Sequence, residues 1–126
     1  YYDRANLNLK VAHCADIACV SATKTVLSTV GNVGRFTSVT ISADGFGLIS
    51  YHDATNQDLE LAICSNIACT VATTTVLESA GAVGGYTGIT TGMDGMPLIS
   101  YFDATNGDLK VIHCGSPTCA PFFRRR

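Results

Sequence analysis

The sequence predicts an all-β fold built from repeated antiparallel sheets, and two observations carry this prediction. The first is an internal repeat, in which Tyr1, Tyr51 and Tyr101 stand 50 residues apart and the residues around them recur in the same register. The second is an alternation of apolar and polar residues in segments rich in Thr, Val, Ile and aromatic residues, which is typical of strands. Helical repeats need a period of about 3.6 residues, so the alternation excludes them.

The second copy of the repeat predicts four strands joined by short turns. The strands cover residues 36–42, 48–53, 58–64 and 69–78. Asp44-Gly45 lies between the first two strands and is a strong signal for a hairpin turn. In the third strand Leu59, Leu61 and Ile63 alternate with other residues, as a strand with one face in the core requires.

Four antiparallel strands in a repeat of this length are the pattern of β-propeller blades. We therefore predict a propeller-type domain in which each repeat forms one blade. Residues 1–34 form a partial blade, residues 35–84 a full blade and residues 85–126 an incomplete blade. A β-solenoid, which needs shorter coils, and a sandwich, which does not require such strict copying, are the alternatives.

The third copy carries the most regular form of the motif, Ser-Tyr-x-Asp-x-x-Asn-x-Asp-Leu-Lys-Val-x-x-Cys, between Ser100 and Cys114. This motif resembles the tandem repeats of bacterial secreted β-propeller-like proteins, and the resemblance covers nearly the whole chain. It implies a fold and export from the cell, but no reaction, because the function of these proteins is mostly unassigned. The first copy departs from the motif at Arg4, Leu7 and Asn8.

Each repeat carries two cysteines in the spacing Cys-x4-Cys, where the third strand ends and the fourth begins. Cysteines that flank such a short hairpin loop lie opposite each other, within the distance that a disulfide needs. The predicted pairs are Cys14 with Cys19, Cys64 with Cys69, and Cys114 with Cys119. Three disulfides predict an oxidising, extracellular location. A zinc site is disfavoured because cysteine pairs on separate blades are too far apart to share an ion.

The loop between the second and third strands holds several side chains with oxygen atoms. In the second and third copies these are Asp53, Asn56, Asp58, Asp103, Asn106 and Asp108. Calcium takes about six to eight oxygen ligands, so the loops are candidate calcium sites. Asp and Asn are also the ordinary residues of tight turns, where their side chains accept backbone hydrogen bonds, and we expect this structural role first. No other cofactor is expected.

Aromatic or imidazole rings occur in the second strand of each repeat. Repeated rings beside carboxylates and amides suit the stacking of sugars. The candidate glycan-binding residues are Tyr51, Tyr101, His52 and Phe102. Packing of large rings between blades is the alternative for the two tyrosines, and we expect it first.

Several function classes are disfavoured by motif and charge. The sequence contains no Gly-x-Ser-x-Gly, phosphate-binding glycine loop or His-Glu-x-x-His motif, so we expect no catalytic residues and no enzyme activity. A net charge of −2 disfavours a nucleic-acid partner, which needs clustered Lys and Arg. No apolar run approaches the roughly 20 residues that cross a bilayer, so no membrane span is expected. A secreted hydrolase is the least favoured hypothesis.

Three repeats leave a propeller open. A ring needs at least about four blades, and each blade has apolar faces that only its neighbours cover. The first repeat also lacks its first strand, since nothing precedes Tyr1. The expected partner is therefore the chain itself, in a two-chain ring or a filament, or the remaining blades of a longer chain. The sequence thus predicts a non-catalytic extracellular scaffold, with a glycan-binding propeller as the alternative.

Overall fold

A computed structural model describes residues 1–119 and the backbone of residues 122–123. Residues 124–126, the end of the predicted third blade, lie outside the described residues. Within the described residues the chain forms eleven strands and no helix, which confirms the all-β prediction. In chain order the strands are β1 Tyr2–Asp3, β2 Asn8–Cys14, β3 Ala22–Ser28, β4 Val33–Ile41, β5 Gly47–Asp53, β6 Asp58–Cys64, β7 Ala72–Glu78, β8 Val83–Thr91, β9 Pro97–Asp103, β10 Asp108–Cys114 and β11 Phe122–Phe123.

The strands form three antiparallel sheets, one for each repeat. The first sheet has the order β1-β2-β3, the second β4-β5-β6-β7 and the third β8-β9-β10-β11. Four strands were predicted for the second repeat, and this is confirmed, while the third repeat, predicted as an incomplete blade, also contains four strands. The sheets do not close into a ring, so the described residues do not form the predicted propeller. The physical reason is that a ring needs about four or more blades, and three sheets leave two end faces.

The strand boundaries depart from the prediction in two places. β4 begins at Val33, ahead of the predicted start at residue 36, so the second sheet begins before residue 35. β7 begins at Ala72 and not at Cys69, because residues 65–71 form a loop before the strand. The remaining strands of the second sheet agree with the prediction to within a residue.

The hydrophobic core lies between the sheets, and the two faces of a strand serve different neighbours. In β5, Ile49 and Tyr51 pack toward the first sheet, whereas Leu48 packs toward the third. The buried cluster between the first and second sheets consists of Leu9, Val33, Ile49, Tyr51 and Ala62. The cluster between the second and third sheets consists of Leu48, Leu59, Leu61, Leu77, Val83, Ile89, Ile99, Tyr101, Ile112, Cys114 and Cys119. Each sheet therefore depends on its neighbour to cover its apolar face.

The first strands of the second and third sheets, β4 and β8, which we call the inner strands, lie side by side and fix how these two sheets stack. The hydroxyl of Thr91 donates a hydrogen bond to the carbonyl oxygen of Ile41 at 2.7 Å. At the start of β8, Gly84 has a φ of +86°, and a Cβ there would lie only 2.7 Å from the Cα of Leu59. Glycine is required at this point both by the left-handed backbone and by the close approach of the two sheets.

Candidate functional site

The three predicted disulfides are present. The bonded pairs are Cys14–Cys19, Cys64–Cys69 and Cys114–Cys119, with Cα–Cα distances of 4.8, 4.9 and 4.7 Å. The second cysteine of each pair lies in the loop and not on the next strand, because a tight turn precedes it; in the second repeat the N–H of Cys69 donates to the carbonyl oxygen of Asn66 at 3.1 Å. Three disulfides indicate an oxidising environment. No helix among the described residues has the length and apolar character to cross a membrane.

The candidate calcium loops are turns whose carboxylates already accept hydrogen bonds. Oδ1 of Asp103 accepts the backbone N–H groups of Thr105 and Asn106 at 3.0 and 3.1 Å, and Oδ2 accepts the Asn106 amide at 2.8 Å. Asp53 makes the same set of bonds in the second repeat. At the start of the next strand, Asp58 lies opposite Asp53 and Asp108 lies opposite Asp103. In residues 1–119 no group of three His, Cys, Asp or Glu side chains is arranged to hold a metal ion. The hydrogen bonds support the turn role, and calcium binding stays a prediction.

The charge beside the turn differs between repeats. Lys110 Nζ lies 2.6 Å from Oδ2 of Asp103, and Lys10 pairs with Asp3 at 2.5 Å in the first repeat. The hydrogen bond from Lys110 is the main cause that lowers the pKa of Asp103 to about 2. The second repeat has Glu60 in place of the lysine, and burial raises the pKa of this carboxyl. The acidic turn is therefore paired with a cation in the two outer repeats and not in the middle one.

The candidate glycan-binding tyrosines lie in the core. Tyr51 and Tyr101 are 0% and 3% exposed, each packed against the preceding sheet. The hydroxyl of Tyr51 donates a hydrogen bond to Glu60 on the neighbouring strand, and burial together with this bond raises the pKa of Tyr51. The two rings pack between sheets, which was the alternative expected first, and they are not placed to stack on a sugar.

The other two candidate residues belong to a cluster of partly exposed rings. Ring centroids lie 4.4 Å apart for Phe36 and Tyr86, 6.4 Å for Tyr86 and Phe102, and 6.1 Å for Phe36 and His52. The cluster joins two sheets, because Phe36 and His52 come from the second sheet and Tyr86 and Phe102 from the third. The imidazole of His52 is held in place, with Nδ1 2.9 Å from the carbonyl oxygen of Val83. We call Phe36, His52, Tyr86 and Phe102 the aromatic shelf.

Sequence reasoning missed Phe36 and Tyr86, because both lie at an irregularity of the inner strand. They occupy the same repeat position and have φ values of +52° and +50°. The register of the ladder shifts beside each of them, as in a β-bulge, and a bulge re-aims the side chain. The available signal was glycine: Gly34 and Gly84 stand two positions earlier, and a glycine within a strand often marks a bulge.

The outward face of the third sheet exposes apolar residues whose copies in the second sheet are buried. The exposed fractions of the side chains are 40% for Leu98, 78% for Leu109 and 44% for Val111. Their copies, each 0% exposed, are Leu48, Leu59 and Leu61. The difference arises because the second sheet is covered by the third, whereas no described residue covers the third.

The outward face of the first sheet shows the same end effect. Tyr1 is 47% exposed although its copies Tyr51 and Tyr101 are buried. Ala12 is exposed, whereas its copy Ala62 is fully buried. A groove of about 260 Å³ beside these residues lies between the first and second sheets. The groove lies where the first sheet, as described, has no counterpart of the inner strands β4 and β8.

Comparison with protein-family models, with curated proteins and with solved structures found no match to this chain. The end faces and the aromatic shelf are therefore the features from which a function can be inferred.

Proposed function

We propose that the chain is a non-catalytic, extracellular scaffold protein whose repeats stack between chains as they stack within one chain. The supporting observation is that residues buried at the internal junctions of the sheets are exposed at both ends of the row. Leu59 is fully buried but its copy Leu109 is 78% exposed, and Tyr51 is fully buried but its copy Tyr1 is 47% exposed. The two end faces are the two halves of one kind of junction, so a second copy of the chain matches both.

The apolar character of the end faces supplies the driving force. Complete burial of one Leu or Val side chain contributes about 1.5–3 kcal/mol, and three such residues lie exposed on the third sheet. Uncovered apolar faces and open sheet edges recruit partners. A junction of the third sheet of one chain with the first sheet of the next is head-to-tail, so it gives a ring where the rotation closes and a filament where it does not. In a propeller-type ring, two chains would supply six blades, because each has three sheets.

The junction between chains is weaker than the internal junction. Within the chain, β8 packs closely on the second sheet, with Gly84 over Leu59. The first sheet, as described, has three strands against the four of the second and third sheets, so it offers a neighbouring copy less surface. We therefore expect association to be reversible and to depend on protein concentration.

Two substitutions test the head-to-tail arrangement by blocking one end face each. Leu109→Asp places a charge on the third sheet, and Ala12→Asp places one on the first. Either variant alone is expected to lose self-association, whereas an equimolar mixture is expected to form a heterodimer through its one intact pair of faces. Analytical ultracentrifugation measures both results. Ile67→Asp is the matched control, because Ile67 is 73% exposed in a loop away from both faces.

The same series shows how the proposal would fail. If Leu109→Asp abolishes association and Ala12→Asp does not, the third sheets pair with each other and the head-to-tail arrangement is wrong. If neither variant changes the sedimentation of the wild type, or if the Ile67→Asp control changes it equally, the end faces do not carry the association. Far-ultraviolet circular dichroism checks that each variant keeps its sheets.

A further inference from the structure

The aromatic shelf is the most exposed group of adjacent rings among the described residues, and we propose that it binds an extended polysaccharide by stacking on its sugar rings. Tyr86 is 74% exposed, Phe36 43% and Phe102 38%. Their centroids lie 4.4 and 6.4 Å apart along the row. Contiguous exposed apolar surface of this kind is typical of an interaction site. This function is additional to scaffold formation. Phe102 lies opposite Leu109 on the outward face of the third sheet, where a stacked second chain would border it, so Phe36 and Tyr86 carry the proposed site.

The backbone supports a binding role for the shelf. Phe36 and Tyr86 both adopt a left-handed φ, which bulky residues rarely occupy. The strained conformation occurs at the same position in two repeats, and each time it directs a large ring away from the core. Bulges that redirect a side chain, and residues held in a disfavoured backbone conformation, both cluster at functional sites.

The chemistry of the shelf favours a neutral sugar chain over other ligands. Single-stranded nucleic acid also stacks on rings, but it requires a positively charged groove, and this chain has a net charge of −2. Small apolar ligands occupy concave pockets, whereas these rings lie open to solvent. Stable protein interfaces bury about 800 Å² on each partner, far more than a few rings provide.

A sugar chain matches an open row of rings. Pyranose rings with equatorial substituents, as in β-1,4-linked glucans and chitin, present flat faces of C–H groups and keep their hydroxyl groups at the edge. An aromatic ring can cover the flat face while the hydroxyls remain in water, as the amphipathic tyrosine ring allows. Phe36 and Tyr86 lie 4.4 Å apart with their planes tilted by 39°, and Phe102 meets Tyr86 at 60°, so the rings offer one joint apolar surface for a sugar ring.

The test is binding to insoluble cellulose and chitin, and affinity electrophoresis in gels that contain a soluble β-1,4-glucan. The informative variant is the double substitution Phe36→Asn with Tyr86→Asn. Asparagine tolerates the left-handed backbone, so the fold is kept while both rings are removed. The matched control is Tyr86→Phe, which keeps the ring and removes only the hydroxyl.

We expect the wild type to bind at least one of the three polysaccharides, the double variant to bind about tenfold more weakly or less, and Tyr86→Phe to bind within about twofold of the wild type. High salt is expected to leave binding unchanged, because stacking does not rely on charge. The proposal is overturned if the wild type binds none of the three or if the double variant binds as well as the wild type. Far-ultraviolet circular dichroism checks that the double variant keeps its sheets at the temperature of the binding assay.

Discussion

Leu7, Gln57 and Gly107 occupy the same turn position in the three repeats, and all have a left-handed backbone, with φ values of +61°, +64° and +75°. Residues with a side chain are disfavoured in this region by about 1–2 kcal/mol, and the larger conformational freedom of glycine in the unfolded chain offsets part of this difference. Leu7 and Gln57 are therefore strained at this position, whereas Gly107 is not.

Exchange of these residues between repeats is expected to move stability in opposite directions. Gln57→Gly should raise the free energy of unfolding by about 1 kcal/mol, and Gly107→Gln should lower it by a similar amount. A Cβ at Gly107 would have no atom within 4 Å, so the expected effect comes from the backbone alone. Urea unfolding of both variants measures the change. Shifts of the same sign would show that backbone strain is not the cause.

The ion pair of Asp103 and Lys110 is expected to make stability depend on pH in acid. The folded-state pKa of Asp103 is lowered to about 2, below the value of about 3.9 for an unfolded chain. A lowered pKa stabilises the fold at pH values above the unfolded value, and this contribution is lost as the pH falls from about 4 to about 2.

Lys110→Gln removes the cation and tests this dependence. The variant should be less stable than the wild type at neutral pH, and the difference should shrink between pH 4 and pH 2, as the carboxyl takes up a proton. Unfolding curves at several pH values measure it. A difference that is constant across this range would show that Lys110 contributes through packing and not through charge.

The disulfide loops differ in their surroundings although their spacing is the same. Cys114 and Cys119 are each 1% exposed and belong to the core cluster between the second and third sheets. Cys14 and Cys19 are exposed, because the equivalent face of the first sheet has no described sheet beside it. Closure of a loop this short stabilises by about 2 kcal/mol through the entropy of the unfolded chain.

Removal of the two disulfides should separate loop closure from packing. Replacement of Cys14 and Cys19 by alanine is expected to lower the free energy of unfolding by about 2 kcal/mol. Replacement of Cys114 and Cys119 should cost more, because the buried sulfur atoms also lose packing contacts. Chemical unfolding of the two double variants gives the comparison. Equal losses in the free energy of unfolding would show that packing of the Cys114–Cys119 disulfide in the core adds nothing to its stabilising effect.

Some elements follow from local chemistry and could be predicted from the sequence. The disulfides are set by cysteine spacing, and the Asp44-Gly45 turn lies between two strands as expected. The aromatic shelf could not be derived in this way, because the bulges at Phe36 and Tyr86 break the alternation that assigns side chains to faces. The face of a strand that becomes buried depends on neighbouring sheets, so alternation alone left the position of Tyr51 open.

At the scale of the whole molecule, the described residues form a row of three sheets with two unlike ends that none of these residues covers. Copies of one residue range from fully buried to largely exposed according to their place in the row, as Leu59 and Leu109 do. Repeat proteins gain stability from each junction between neighbours, and their terminal repeats normally carry polar outer faces. The end faces described for this chain are apolar, which is the basis for expecting stacking between chains.

The mass of the wild-type protein in solution tests this expectation most directly. A single chain has a mass of 13.2 kDa. Size-exclusion chromatography with light scattering across a range of concentrations is expected to give masses that are multiples of this value and that rise with concentration. A mass that stays at that of one chain at every concentration would contradict the proposed stacking.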